Sequence, residues 1–119
     1  MATLANQGMA SQMSFGQHGS MFVNATGDVD CLPPNGMVFV AITCLASTTF
    51  DELVAEDNTK YFGSTGTDNS HSRGIGDLVT DDDSFPAGLT IFGRWTKFDL
   101  DTGSVIAYLG PAKSPVSTS

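Results

Sequence analysis

The stretch "MVFVAITCL", residues 37–45, is apolar at nearly every position and rich in β-branched side chains. It shows no alternation between a wet and a dry face, so it reads as a strand covered on both faces and hence central in a sheet. Immediately before it stands "CLPPNG", residues 31–36, in which Pro33-Pro34 cannot donate to a ladder and Asn35-Gly36 is a strong turn pair. A central strand entered from a tight turn commits the chain to further strands on either side.

Those strands are sought outward from it. Met21 to Val23 reads as a short strand that runs into the turn signal Thr26-Gly27-Asp28. Downstream, "TTFDELVAEDNTKYFG", residues 48–63, fits either one helical turn capped by Thr48 or Thr49, or a strand with Leu53 and Ala55 on one face. Strand is the reading taken, because Val54, Tyr61 and Phe62 favour β structure and the segment is short for a surface helix. Two polar loops follow, "STGTDNSHSRGIG" at 64–76 and "TDDDSFPAG" at 80–88. In the closing segment Leu89, Ile91, Gly93 and Trp95 share one face and Phe98 and Leu100 the other, so a bulge or bend is predicted between Trp95 and Phe98. Asp101-Thr102-Gly103-Ser104 then turns the chain into Val105 to Leu109, and the pair of runs reads as a hairpin.

With turn signals at this spacing, the expected fold is all-β: one small antiparallel sandwich or barrel of about six to eight short strands. Its expected limits are residues 21–112, between a flexible N-terminal arm at 1–20 and a disordered tail at 113–119. The arm lacks charged side chains and sustained periodicity, yet carries Met9, Met13 and Phe15, apolar groups able to order against a partner.

The chain of 119 residues suits one core, and its thirteen acidic against five basic side chains give a formal charge of −8. Such a charge repels a phosphate backbone, so direct nucleic-acid binding is not expected. No apolar run is long enough to span a bilayer as a helix, and the first twenty residues lack the basic leader and apolar run of a secretory signal. Folding in a cytoplasm is therefore expected. Cys31 and Cys44 fit no paired-cysteine metal motif and read as small buried hydrophobes.

The candidate chemistry is thin. Asp101-Thr102-Gly103 matches the triplet of dimeric aspartic proteases, which need two carboxylates sharing a proton. Only sixteen residues follow Gly103, however, and the small dimeric enzymes build their flap and closing strands after the triplet. Turn chemistry is the reading kept, and no catalytic residue is assigned. Asp81-Asp82-Asp83, with Asp77 nearby, supplies hard oxygen donors but lacks the alternating spacing and distal glutamate of a helix-loop-helix calcium site. His18 and His71 have no spacing that makes a metal site, and Ser70 and Ser72 beside His71 do not make a triad. Gly74-Ile75-Gly76 is too short to cradle a phosphate. No metal or cofactor is expected. Arg94-Trp95 is either an interface anchor or a buried Trp and a solvated Arg on opposite faces of a strand.

Three stretches, "GMVFVAIT", "TTFDELVAEDNTKYFG" and "FPAGLTIFGRWTKFDLDTGSVIAYLGP", together resemble small virion structural proteins of tailed bacteriophages, of the marine and cyanobacterial kind. The resemblance runs over about residues 30 to 112 and rests on linear stretches rather than catalytic signatures. It implies a non-enzymatic, many-copy capsid decoration or cement protein, assembled in the host cytoplasm and carried on the capsid exterior. The implied partners are the major capsid protein and further copies of the chain, a trimer by analogy. Met9, Met13 and Phe15 of the arm, with Arg94 and Trp95, are the candidate contacts with the shell. A receptor- or glycan-binding knob at a fibre tip is the alternative, with Trp95, Tyr61 and the polar loops as sugar contacts.

Overall fold

The computed structural model describes residues 17–27, 29–64 and 76–112. Its regular elements are five strands, β1 Ser20–Val23, β2 Met37–Cys44, β3 Thr49–Ala55, β4 Thr90–Thr102 and β5 Val105–Pro111. They form one antiparallel sheet in the order β1-β5-β2-β4-β3, so the apolar run quoted above is its middle strand. The all-β expectation holds, with five strands among the described residues against the six to eight expected; Thr26–Leu100, Cys31–Phe98 and Thr48–Phe85 pair only as isolated bridges. In the ambiguous segment after β2, Thr49–Ala55 is strand, as read, and residues 56–61 turn.

The sheet is folded over by β4. Thr90, at its start, lies opposite Thr43, while Ser104, just past its end, accepts a 2.8 Å hydrogen bond from the Leu45 amide. Both ends therefore sit by the C-terminal end of β2, although thirteen residues of straight strand would separate them by roughly 40 Å. The strand bends where the sequence phase slips. Val54 faces Lys97 and Ala55 faces Trp95, which leaves Thr96 as an extra residue, a bulge. Up to Trp95, β4 pairs with β2; beyond it, β4 pairs with β3, and the sheet becomes a small two-layered sandwich.

The core lies between the layers. Because the bulge adds one residue, Ile91 and Trp95 before it and Phe98 and Leu100 after it all point inward. Phe98 meets Phe39 of β2 edge-on at 4.9 Å and Phe50 of β3 at 6.0 Å. On β2 the inward positions are Phe39, Ile42 and Cys44, the phase changing at Val40, and Val38 and Ala41 are buried on the other side. The strand is thus central, as its composition predicts, but only one face meets the core; the other is the outer face of the layer, where Val38 and Ala41 are shielded by neighbouring side chains and Thr43 is half-buried. Cys31 and Cys44 are free thiols buried in this core.

One expectation is corrected. The runs joined by Asp101-Thr102-Gly103-Ser104 do not form a hairpin, because β2 lies between β4 and β5 in the sheet. The turn is real, with Gly103 at φ +97°, but it carries the chain from one layer to the other. A Cβ on Gly103 would collide with Thr48 Oγ1 and stand 2.7 Å from the Ser47 carbonyl. Gly36, in the Asn35-Gly36 turn, also has positive φ but has nothing within 4 Å of its absent Cβ. Gly36→Ala is expected to cost about 1 kcal/mol, the backbone term alone. Gly103→Ala carries the same term plus the collision, and should cost at least about 1 kcal/mol more. Urea unfolding midpoints compare them; equal losses would mean that the turn is not wedged against Thr48.

Candidate functional site

The two layers present chemically different outer surfaces. On the outside of the β1-β5-β2-β4 layer the register sets Phe22, Ile106, Thr43 and Thr90 in one row, and Ser20, Tyr108, Ala41 and Phe92 in the next. No member of either row is charged. Phe22 is 64% and Phe92 59% exposed, large values for aromatic side chains on a strand. Thr43 and Thr90 share a 2.8 Å hydroxyl hydrogen bond, which turns their polar groups toward each other.

The other layer carries acid. Glu52 of β3 and Asp99 of β4 are directly opposite in the antiparallel register, a repulsive placement. Asp30, from the segment that bridges to β4 at Cys31, joins them, and one carboxylate oxygen from each lies within 4.8 Å of the other two. Lys97 answers part of this charge, its Nζ lying 2.8 Å from Glu52 Oε1 and 3.6 Å from Asp30 Oδ1. Asp99 is 95% buried, as its 5% relative exposure shows, and its Oδ1 has no hydrogen-bond partner. Burial first, then a hydrogen bond shared with Asp30 and the charges of Asp30 and Glu52, push its carboxyl from the ordinary 3.8 up to about 6, with Lys97 opposing the shift. Burial, and secondarily Asp99 and Asp30, also raise the Cys31 thiol, which is thereby kept protonated and unreactive. A second group, Asp51, Asp81 and Asp101, lies nearby in the same sense, and there Asp101 Oδ2 accepts a hydrogen bond from Thr49 Oγ1.

The residues singled out in the sequence are dispersed. Trp95 is completely buried; its Nε1 donates to the Phe62 carbonyl at 2.9 Å and its ring meets Phe62 edge-on at 5.4 Å. It therefore offers no surface to a partner, and the interface role considered for it is corrected to a core role. Arg94 donates from Nε to Glu56 Oε1 and from a terminal nitrogen to the Pro111 carbonyl, each at 2.6 Å, and so ties β4 to the ends of β3 and β5. Met9, Met13 and Phe15 lie outside the described residues, as does His71. In the Asp81-Asp82-Asp83 run, Asp83 Oδ2 accepts from the Thr80 amide and closes a local turn.

Sequence reasoning missed Asp30, Glu52 and Asp99 as a group, because they come from three segments and only the strand register unites them. It also missed Phe22 as an exposed group. Among the described residues no helix is long and apolar enough to cross a membrane. Compared with known proteins, the chain matches no family model, no curated protein and no solved structure.

The Asp99 environment has a signed consequence for stability. Its folded pKa is raised, so the stabilisation from its protonated form is fully present below pH 3.8 and is lost as pH rises through about 6. In cation-free buffer Asp99→Asn should match the wild type near pH 4 and exceed it at pH 7 by on the order of 2 kcal/mol. Urea titrations at a series of pH values read the difference; a gap that does not change with pH would refute the raised pKa.

Proposed function

We propose that this chain is a virion structural protein that decorates a phage capsid and stabilises it by bridging neighbouring shell subunits. The observation that carries the proposal is the pair of uncharged rows holding Phe22, Ile106 and Phe92 on the outer face, bordered by the Arg94–Glu56 ion pair, on a chain whose formal charge is −8. A folded domain that collects its acid on one layer and leaves aromatic side chains exposed on the other has a docking side and a solvent side. The sequence resemblance supplies the identity of the surface that would be docked upon, the major capsid protein. β1 also begins directly after the N-terminal segment, so an arm bearing Met9, Met13 and Phe15 would leave the domain at the rim of the same face.

The mechanism is avidity. Each copy contributes a modest contact, and repetition over a symmetric shell raises the effective concentration of the next. No catalytic step is required of any residue. The glycan-binding alternative is weakened by the burial of Trp95, which removes its principal stacking group.

Two measurements test the proposal. Quantitative mass spectrometry of purified particles should find this chain at a simple ratio to the major capsid protein; a handful of copies would point to a tail or fibre position instead. Phe22→Asp, exposed and so compatible with the fold, should lower occupancy on stripped particles by about tenfold or more. Undiminished occupancy would show that this face is not the docking face.

A further inference from the structure

We propose that Asp30, Glu52 and Asp99 form a binding site for a hard divalent cation of calcium's size. One carboxylate oxygen from each residue lies within 4.8 Å of the others, the spread expected when all of them reach a single ion at about 2.4 Å. The donors are all oxygen, which selects calcium-like over thiophilic metals.

Acidic groups crowd together on many protein surfaces without a ligand; the feature that separates this one is Asp99. Its side chain is buried, its Oδ1 meets no donor, and it belongs to the same set of converging oxygens. Buried polar atoms are nearly always satisfied, so an orphaned oxygen on the buried member of a three-carboxylate cluster calls for a cation. Lys97 does not fill that role, because its ammonium pairs with Glu52 and Asp30 and leaves Asp99 Oδ1 without a donor. With Lys97 counted, the four side chains carry a charge of −2 when ionised, which one divalent ion cancels. The exposed Asp30 and half-buried Glu52 leave a solvent-facing side on which water can complete the shell. The ion would fasten three segments together: the 29–31 connection, β3 and β4.

The neighbouring Asp51, Asp81 and Asp101 group has no orphaned buried oxygen among its members and serves as an internal control. Calorimetric unfolding of the full chain in EDTA and in excess CaCl2, with isothermal titration of CaCl2, tests the site. In the wild type the expected result is a Tm rise of about 4 °C or more and binding at one ion per chain. Asp99→Asn and the surface change Asp30→Asn should each abolish both effects, and Asp81→Asn should leave them intact. Asp99→Asn removes a buried charge without changing shape, and circular dichroism verifies that it folds. Absence of any calcium effect in the wild type would overturn the proposal. So would an effect that survives Asp99→Asn and Asp30→Asn and disappears in Asp81→Asn.

Discussion

The structure depends on one extra residue in β4. Without Thr96 in the bulge, the side chains inward on the first half of the strand, Ile91 and Trp95, would be followed inward by Lys97 and Asp99, and Phe98 and Leu100 would face water. A one-residue slip reverses every side chain beyond it, so the bulge decides whether the second half of β4 supplies a core or a charged interior. Burying Phe98 and Leu100 stabilises the fold by about 1.5–3 kcal/mol each, enough to hold a locally disrupted ladder. The same bend brings Phe98 onto Phe39, folds one sheet into two layers, and leaves the end of β4 close to where it began.

Much of this was legible because it depends on local pattern. The unbroken apolar run at 37–45 reads as a central strand, and the shift of apolar phase between Trp95 and Phe98 marks the bulge in the sequence itself. Strand pairing was less accessible. A two-residue connection at Gly103-Ser104 ordinarily joins hydrogen-bonded neighbours, and the phase slip that announces a bend gives no measure of its angle. Once β4 folds back, the place beside its first half belongs to β2, and β5 is displaced by one position. Arg94-Trp95 was ambiguous for a related reason: alternation puts the two on opposite faces but does not say which face is covered.

The charged side chains follow from the same geometry. After the bulge the alternation sends Lys97, Asp99 and Asp101 away from the core, opposite Val54, Glu52 and the start of β3. The acid of β3 and the second half of β4 therefore accumulates on one layer, while β1, β5, β2 and the first half of β4 present Phe, Ile, Tyr and Thr to the outside, with Arg94 held by Glu56 at the border. Neither surface could be assembled from the sequence without the order β1-β5-β2-β4-β3, since each row takes residues from strands distant in the chain.

Asp99 is where this arrangement is under tension. An asparagine would occupy almost the same volume, donate as well as accept, and remove a charge that lies opposite Glu52 and beside Asp30. A carboxylate there is tolerable in two ways: it takes up a proton, as its pKa of about 6 allows in mild acid, or a cation lies against it. Both neutralise the same carboxyl group and relieve the same repulsion, so both hold Asp30 and the bridged Cys31 against β4. Above pH 6 only the second remains, because the protonated form is then the minor one. At neutral pH, therefore, closure of the 29–31 connection over the second layer depends on an ion in a way that closure of the core, made by Phe39, Phe50, Trp95 and Phe98, does not.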